Sequence, residues 1–234
     1  MTLAITGASG KTGWRIADEA LKRGQRVRAI VRPGSLLPPE LAQHVNQGGS
    51  AARLNVVRTE LGDAHALQQA LQGCQALVIA TGARPSIDLA GPLKVDALAI
   101  RDQIAACKAA GVKRVVLVSS LCAGRWLHPL NLFGLILVWK RLGEQWLEQS
   151  GLDWTIVRPG GLSEDDSRAD GEGVVYSGPD VQESDSIPRR LVARVCLDAL
   201  ETDAAIGQIV EITSSQQQPK QPLDAWLKLE AKTA

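Results

Sequence analysis

Three features are scarce in this sequence: net charge, aromatic residues other than tryptophan, and long apolar runs. The 26 Lys and Arg residues nearly balance the 25 Asp and Glu residues, so a net charge of +1 provides no bulk field to gather nucleic acid or an anionic membrane. The longest apolar stretch, Leu132 to Trp139, is far shorter than the roughly 20 residues that a membrane span requires. We therefore expect no nucleic-acid partner and no membrane span.

The amino terminus and the cysteines bear on the compartment. Residues 2–6 predict a strand directly after Met1, which leaves no room for a signal peptide. The four cysteines are scattered, without a Cys-x-x-Cys or a Cys/His pair at metal-ligand spacing. We expect reduced thiols, no metal site and a cytoplasmic protein. The shortage of other aromatics leaves a single tyrosine, Tyr176.

Short apolar runs alternate with helical patterns along most of the chain, which is typical of an α/β fold. The runs at 76–80 and 115–118 are apolar throughout, as in parallel strands that helices cover on both faces. We predict one doubly wound domain over 1–234, with a mostly parallel sheet of about seven strands, helices on both faces and a small C-terminal substrate lobe. The predicted strands are 2–6, 25–31, 54–58, 76–80, 113–119, 153–157 and 208–212. The predicted helices are 12–23, 64–72, 94–110, 134–149, 188–200 and one near 222–231.

A polar, glycine-rich stretch at 160–188 interrupts this alternation. Too little chain follows it to build another core, so we predict a long loop or a small lid there. Together with 121–133 it would form the substrate side of the domain.

The sequence Thr-Gly-Ala-Ser-Gly-Lys-Thr-Gly at 6–13 lies between the first predicted strand and the first predicted helix. At such a junction Gly7 permits a tight turn, Gly10 lets a pyrophosphate approach the backbone, and Gly13 lets the helix pack close to the strand. Free N–H groups and the helix dipole complete an anion site. A Walker A loop is excluded because its first glycine would fall at Ile5. The pattern therefore predicts a dinucleotide-binding Rossmann fold.

The end of the second strand selects the dinucleotide. A site for NAD usually carries Asp or Glu there, about 20 residues after the glycines, to bind the ribose 2′-hydroxyl. This chain has Arg32 and Ser35 instead, and no acid follows the strand before Glu40. A guanidinium pairs with a 2′-phosphate, and a hydroxyl adds a hydrogen bond. We predict NADP, with NAD the less favoured cofactor.

Further motifs follow the predicted strands in order. They are Gly62-Asp63, Ala80-Thr81-Gly82, Val118-Ser119-Ser120, His128-Pro129-Leu130-Asn131, Val138-Trp139-Lys140-Arg141 and Ile156-Val157-Arg158-Pro159-Gly160-Gly161-Leu162. Together with the glycine turn and Arg32, this set resembles the atypical short-chain dehydrogenase/reductases that have an NAD(P)H-binding, NmrA-like domain. The resemblance covers nearly the whole chain. The sequence His128-Pro129-Leu130-Asn131 followed by Val138-Trp139-Lys140 is especially similar to a plant and cyanobacterial branch of NAD(P)-binding oxidoreductases.

The resemblance implies a role for each motif in cofactor binding. Asp63 would lie beside the adenine, and it also suits the N-cap of the following helix. Ala80 to Gly82 would pass under the nicotinamide-side ribose, Lys140 would bond the ribose hydroxyls, and Pro159 to Leu162 would back the nicotinamide. The full predicted set is Gly7, Ala8, Ser9, Gly10, Lys11, Thr12, Gly13, Arg32, Ser35, Asp63, Ala80, Thr81, Gly82, Ser119, Lys140, Pro159, Gly160, Gly161 and Leu162.

The catalytic pattern of the wider superfamily is incomplete in this chain. Typical members combine a Ser with a Tyr four residues before a Lys, which puts both of the latter on one helix face so that the cation lowers the tyrosine pKa. Ser119 and Lys140 match this pattern. Ile136 stands at the tyrosine position, however, and Tyr176 falls in the predicted loop. The standard carbonyl-reductase mechanism is therefore not supported.

Three functions remain open. The first is an oxidoreductase that reduces a small conjugated acceptor, such as a flavin or a quinone, with Ser119, Lys140 and His128 as candidate catalytic residues. The second is an NADP-binding redox sensor or assembly factor without turnover. The third is an enzyme acting on a sugar or isoprenoid through an acid of the 160–188 loop. The candidate acids are Glu164, Asp165 and Asp166.

The predicted helix at 134–149 bears on the oligomeric state. It is apolar around much of its circumference, more than one core-facing stripe requires. It would pack either at a homodimer interface or beneath the 160–188 stretch of a monomer, and the pattern does not choose between the two.

Overall fold

A computed structural model of the chain describes residues 1–46, 53–83, 90–123, 125, 129–132 and 135–233. Within these residues the chain forms ten β-strands, which are β1 (Thr2–Thr6), β2 (Arg26–Val31), β3 (Leu54–Arg58), β4 (Ala76–Ile79), β5 (Arg114–Val118), β6 (Asp153–Pro159), β7 (Gly161–Ser163), β8 (Gly173–Ser177), β9 (Ser186–Pro188) and β10 (Gln208–Ser215). The same residues form seven α-helices, which are α1 (Gly13–Lys22), α2 (Pro39–Asn46), α3 (Ala64–Leu71), α4 (Ala99–Ala110), α5 (Ile136–Glu148), α6 (Arg189–Glu201) and α7 (Leu223–Thr233).

The main sheet has β1 near its centre. Among the described residues it contains eight strands in the order β3-β2-β1-β4-β5-β6-β10-β8, all parallel to their neighbours except the antiparallel pair of β10 and β8. Thr6 at the end of β1 is in register with Ile30 of β2 and with Ile79 of β4. The strand order reverses at β1, which opens a crevice at the carboxyl ends of β1 and β4. The predicted doubly wound α/β fold is confirmed.

Each face of the sheet is covered by its own apolar layer. In β1, Leu3 and Ile5 point into the layer under α1 and α6, whereas Ala4 points into the layer under α3 and α4. Because helices cover both faces, an interior strand such as β4 is apolar throughout and all of its residues are buried. This covering explains why the central strands were predictable as unbroken apolar runs.

Local signals set the ends of several helices. Asp63 caps α3, because its carboxylate accepts a hydrogen bond from the Ala66 N–H at 3.0 Å. Gly111 ends α4 with a left-handed φ of +75°. The predicted helix at 94–110 begins differently, as a π-helical turn over Leu93–Leu98 that leads into α4. No helix in the described ranges is long and apolar enough to cross a membrane.

The prediction of a loop or lid at 160–188 is wrong, whereas the eight strands of the main sheet agree with the predicted sheet of about seven strands. β7, β8 and β9 all fall in this stretch, and β7 pairs with β9 in a small second sheet. β8 extends the main sheet by pairing antiparallel with β10, where Val175 lies opposite Thr213. β8 lies within a polar, glycine-rich stretch that has no sustained apolar pattern, and its partner β10 comes much later in the chain.

Tyr176 therefore lies in β8 and not in a loop. Its ring is buried and stacks on Trp226 of α7, with 5.6 Å between the ring centroids. Burial raises the pKa of the Tyr176 phenol above its usual value. The single tyrosine packs the last helix against the sheet and has no place in proton transfer.

A buried group of charges joins α5 to two strands. We call it the Arg158 cluster, and its members are Arg158, Glu144, Asp180 and Glu211. The Arg158 side chain is 1% exposed, and its guanidinium lies 2.7 Å from Glu144 Oε2, 2.9 Å from Asp180 Oδ1 and 3.5 Å from Glu211 Oε1. Glu211 also accepts hydrogen bonds from three consecutive backbone N–H groups, which belong to residues 180–182. Each charged group of the cluster therefore has partners of opposite charge or N–H donors.

Candidate functional site

A cleft of about 310 Å³ opens where the strand order reverses. Small-molecule sites have volumes of roughly 300–1,000 Å³, so this one has room for a ligand. It is formed by the carboxyl ends of β1, β2, β3 and β4 and by residues around the π-helical turn. Its lining consists of Gly7, Ser9, Gly10, Ile30, Val31, Arg32, Thr59, Leu61, Ala80, Thr81, Gly82, Ala83, Gly91 and Val95. Predicted residues from the glycine turn, from the end of β2 and from the end of β4 are among them.

The glycine turn has the geometry of a phosphate cradle. Gly7 has a φ of +72°, and a Cβ built on it would lie 2.6 Å from the Ala80 carbonyl oxygen. A Cβ on Gly13 would lie 2.1 Å from the Gly7 carbonyl oxygen, so only glycine lets α1 begin this close to β1. The Gly10 N–H donates to the Gly7 carbonyl at 2.8 Å and closes the turn. These residues fit a pyrophosphate at the N-terminus of α1.

Three other residues of the turn have side chains outside the cleft. Ala8 is fully buried in the core. The Lys11 ammonium forms an ion pair with Glu164. The Thr12 hydroxyl accepts a hydrogen bond at 2.9 Å from Arg189 of α6. Lys11 and Thr12 thus connect the glycine turn to the C-terminal part of the chain.

Positive charge lies at the end of the cleft next to β2. Arg32 is exposed and lines the cleft, and the lining contains no carboxylate among the described residues. Ser35 does not line the cleft, but its N–H donates to the Arg32 carbonyl at 3.1 Å in a tight turn. The Arg58 guanidinium donates to the Ser35 carbonyl at 2.7 Å and so holds this turn. This end of the cleft suits an anion better than a ribose hydroxyl that requires a carboxylate acceptor.

Asp63 lies beside the cleft rather than in its lining. The side chain is exposed, and its carboxylate is engaged as the N-cap of α3. Thr59 and Leu61, which follow β3, occupy the neighbouring part of the lining. The resemblance predicted Asp63 but not Thr59 or Leu61, because these two residues are not part of a recognisable motif.

A smaller cavity adjoins the other end of the cleft. We call its polar residues the Lys140 cluster, and they are Thr81, Asp96, Ser119 and Lys140. The Lys140 Nζ lies 2.7 Å from Asp96 Oδ1, and the two side chains are 14% and 2% exposed. Asp96 Oδ2 accepts a hydrogen bond from the Ala83 N–H at 3.2 Å. The hydroxyls of Thr81 and Ser119 are buried and have no hydrogen-bond partner within the described residues. The structure thus brings three predicted residues together with one that was not predicted, Asp96.

The segment from Pro159 to Leu162 leaves β6 beside the end of β5. The Leu121 N–H donates to the Pro159 carbonyl at 2.9 Å, and the Gly160 N–H donates to the Ile212 carbonyl at 2.9 Å. A Cβ on Gly160 would lie 2.5 Å from the Asp185 carbonyl oxygen, so the strand end is tightly held. The segment lies near Ser119 at the carboxyl edge of the sheet and is not part of the lining of either cavity.

The acidic run at 164–166 is engaged in ion pairs and a cap. Glu164 pairs with Lys11, and Asp166 Oδ2 lies 2.7 Å from Arg15 Nε. Asp165 accepts a hydrogen bond from a backbone N–H at 3.1 Å and caps a short 3₁₀ helix. The Lys11 ammonium holds the pKa of Glu164 below its usual range, and hydrogen bonds to Ser167 do the same for Asp165. A lowered pKa makes Glu164 and Asp165 poor proton donors, and Asp166 is engaged with Arg15, so the hypothesis of acid catalysis on a sugar or isoprenoid has no support here.

Other candidate groups contribute little to the site. His128 lies outside the described residues, so its catalytic role stays a prediction. Within the described part of the chain no group of three or more His, Cys, Asp or Glu side chains could hold a metal ion. The four cysteines are free and buried, as predicted. Burial raises the pKa of Cys107 to about 12, which keeps this thiol protonated and unreactive.

Sequence patterns missed one residue of the Lys140 cluster and one residue that contacts the glycine turn. Asp96 lies in the π-helical turn, and the change from a regular helix at that point has no sequence signal. Arg189 reaches Thr12 at the start of α1 from a position far along the chain, and its Nε is buried without a hydrogen-bond partner in the described ranges. Both contacts depend on tertiary packing, which spacing along the sequence does not report.

Comparison with known families identifies the family of the chain. Residues 7–203 match the model of the NAD(P)H-binding family, from the glycine turn to just beyond α6. The chain belongs to the NAD(P)H-binding family. This match confirms the resemblance on which the cofactor residues were predicted, and it assigns an NAD(P) cofactor without distinguishing NADP from NAD.

Curated relatives share most of the chain. An uncharacterized chloroplastic protein of Arabidopsis thaliana is 35% identical over 92% of this chain and 78% of its own length. The chloroplastic protein TIC 62 of Pisum sativum is 32% identical over 95% of this chain, which corresponds to 45% of TIC 62. Sanguinarine reductase of Eschscholzia californica is 29% identical over 92% of this chain and 89% of its own length. These relatives place the chain in an oxidoreductase-type family.

A solved structure agrees with this assignment. A Bacillus halodurans protein, named as an NAD-dependent epimerase/dehydratase, has a TM-score of 0.78 and is 27% identical over 98% of this chain and 99% of its own. The fold is therefore that of the short-chain dehydrogenase and epimerase type.

The prediction of a cytoplasmic protein is wrong. Two Arabidopsis relatives, each 35% identical, and TIC 62 of pea are all chloroplastic, which points to the plastid. The composition of the chain carried no signal for this compartment, because near-neutral charge and reduced thiols are common to plastid and cytoplasmic proteins alike.

Proposed function

We propose that the protein is an NADPH-dependent reductase of a small conjugated acceptor such as a flavin or a quinone. The observation that carries this proposal is the Lys140 cluster at the end of the cleft. Two buried hydroxyls without partners cost stability, and such groups persist where a ligand satisfies them. Their position beside the partly buried Lys140 ammonium suits a site where charge develops during a reaction. The relative that is a sanguinarine reductase supports a reductase role.

The cofactor would lie across the cleft with its pyrophosphate on the glycine turn. Its 2′-phosphate would meet Arg32, and its nicotinamide end would lie near Ala80 to Gly82, with Lys140 toward the ribose hydroxyls and Pro159 to Leu162 behind the ring. When bound, the cofactor supplies a hydride. Ser119 would hold the acceptor, since its hydroxyl can both donate and accept a hydrogen bond.

The preference for NADP rests on Arg32. Replacing Arg32 by Ala should weaken NADPH binding by roughly 10-fold to 100-fold, because a charge-assisted hydrogen bond contributes about 1.5–3 kcal/mol. NADH has no 2′-phosphate, so its affinity should hardly change. Arg26 provides a matched control, because it is exposed at the amino end of the same strand, away from the cleft.

Fluorescence titration with NADPH and NADH would measure both variants. The proposal predicts that R32A loses the preference for NADPH and that R26A keeps it. Equal NADPH affinity in R32A and the wild-type protein would contradict an NADP site, and so would a wild-type preference for NADH.

A second candidate is an NADP-binding redox sensor or assembly factor. It is favoured by the absence of a tyrosine four residues before Lys140 and by the similarity to TIC 62. The two candidates differ in turnover. NADPH oxidation by riboflavin or menadione would support the reductase, whereas tight NADPH binding without oxidation by any acceptor of such a panel would support the sensor.

A further inference from the structure

The pairing of Lys140 with Asp96 depends on unusually close packing between α5 and the π-helical turn. Gly143 lies three residues after Lys140 on α5, and a Cβ built on it would lie 2.4 Å from the Asp96 carbonyl oxygen. Any larger residue would push α5 away from the turn that carries Asp96. The glycine therefore allows the Lys140 side chain to reach a carboxylate that is almost completely buried.

The pair of Lys140 and Asp96 borders a cavity about the size of one water molecule. The cavity has a volume of about 10 Å³ and is lined by Thr81, Asp96, Ser119 and Lys140 together with apolar residues. This is close to the smallest volume that holds one water molecule, roughly 10–15 Å³, and a water needs two to four polar partners. The two hydroxyls without partners and the ammonium supply them. An ammonium has three N–H donors, of which Asp96 occupies one, so Lys140 can serve both this site and a ribose hydroxyl.

We propose that Asp96 holds the Lys140 ammonium against a one-water site formed with the Thr81 and Ser119 hydroxyls. We further propose that this site delivers the proton that a tyrosine delivers in typical short-chain dehydrogenases. Asp96 is then a positioning residue, and Lys140 is the acid. The second half of the proposal rests on the proposed reductase function.

The proton step balances without any further reactant. The acceptor gains a hydride from NADPH, which leaves as NADP⁺, and it gains one proton from Lys140 either directly or through the bound water. Lys140 becomes a neutral amine and recovers a proton from solvent. The acceptor is thus reduced by two electrons and two hydrogens, and the protein returns to its starting state.

A crystal structure of the protein with NADPH tests the binding half. We expect one ordered water, or an acceptor oxygen in a ternary complex, within hydrogen-bond distance of both Ser119 Oγ and Lys140 Nζ. A cavity that stays empty, or one that the ribose or a protein side chain fills, would overturn the one-water site. This result does not depend on whether any acceptor is turned over.

The variant D96N tests the proton half, with menadione and riboflavin as acceptors. The amide keeps the size of the carboxylate but removes the charge that holds Lys140. General acid catalysis contributes roughly 100-fold to 10,000-fold, so we expect kcat to fall about 100-fold while the Kd for NADPH changes little. The solvent deuterium isotope effect on kcat should rise, because proton delivery becomes slower, and D96E should recover part of the lost kcat.

Asp18 offers the matched control. It is another buried carboxylate, 7% exposed, which pairs with Lys22 at 2.9 Å on α1 and with Arg190, away from both cavities. The variant D18N should lower the melting temperature without changing kcat or its isotope effect. If D96N behaves like D18N, with reduced stability and unchanged kcat and isotope effect, then Asp96 is only structural and the proposal is wrong. If the wild-type protein reduces no acceptor, the reductase function and the proton step both fail, whereas the one-water site is decided by the crystal structure.

Discussion

Helix α5 carries one residue of each of two buried charge clusters, and the clusters differ in how well they are satisfied. Lys140 belongs to the first and Glu144 to the second, one helical turn further along. In the Arg158 cluster every charged group has a partner, and the three N–H donors to Glu211 complete it. In the Lys140 cluster two buried hydroxyls have none within the described residues.

This difference distinguishes a structural cluster, the Arg158 cluster, from a ligand-binding site, the Lys140 cluster. A satisfied network ties elements together and has no capacity left for a ligand. Unsatisfied polar groups cost stability in the free protein, and a ligand that satisfies them recovers that cost on binding. The comparison therefore predicts that the Arg158 cluster controls stability and that the Lys140 cluster controls turnover.

The largest expected effect belongs to Arg158. Replacing it by Ala leaves Glu211 buried without a counter-ion and leaves Glu144 with Arg141 alone, and breaking a buried pair in this way costs about 3–5 kcal/mol. Urea denaturation should show this loss of unfolding free energy. The control is D180N at the exposed rim of the same cluster, where the side chain is 50% exposed and the cost should be below about 1 kcal/mol. Equal losses in the two variants would remove the distinction between the buried centre and the rim.

Gly143 lies between the two clusters on α5, and G143A should disturb both. The new Cβ would meet the Asp96 carbonyl oxygen at 2.4 Å, and overpacking of this kind costs about 1–3 kcal/mol. We also expect kcat to fall about 10-fold, because a displaced α5 moves Lys140 away from Asp96. G171A is the matched control, since its nearest atom would be the Arg168 carbonyl oxygen at 3.7 Å. A G143A variant with full activity would show that the position of Lys140 is not critical.

Two serines give the smallest change in stability and the clearest contrast. Ser119 Oγ has no partner in the described part of the chain, so S119A should change the unfolding free energy by less than about 0.5 kcal/mol. Ser214 Oγ donates to Glu172 at 2.6 Å, so S214A should cost about 1 kcal/mol. Turnover should follow the opposite order, with kcat reduced at least about 10-fold in S119A and unchanged in S214A. Identical behaviour of the two variants in both measurements would contradict the comparison.

Features that depend on residues close together in the chain could be predicted from the sequence, whereas features that depend on distant residues could not. The glycine turn at 6–13 is a local motif between adjacent elements, and its φ angles and close approaches follow from the residue types alone. Arg32 is the residue immediately after β2, so its place could be predicted from the end of that strand. Both were identified from neighbouring residues, and Gly7, Ser9 and Gly10 of the turn line the cleft together with Arg32.

The Lys140 cluster and the 160–188 stretch depend on contacts between distant residues. Lys140 meets Asp96 only because Gly143 lets α5 pack closely against the π-helical turn. Neither the turn nor the contact has a sequence signal. β8 becomes a strand because β10 provides a partner edge, although its own residues show little alternation. Tyr176 then serves in packing against Trp226, which a count of tyrosines alone could not show.

A single-turnover experiment tests the central claim most directly. The protein would be loaded with one equivalent of NADPH and mixed with excess menadione or riboflavin, and the loss of NADPH absorbance would be followed for the wild-type protein and for S119A. We predict that the wild-type protein oxidises its bound NADPH and that S119A does so at least about 10-fold more slowly while remaining equally stable. Bound NADPH that persists in the wild-type protein with every acceptor would contradict the account and would identify the chain as a binding protein.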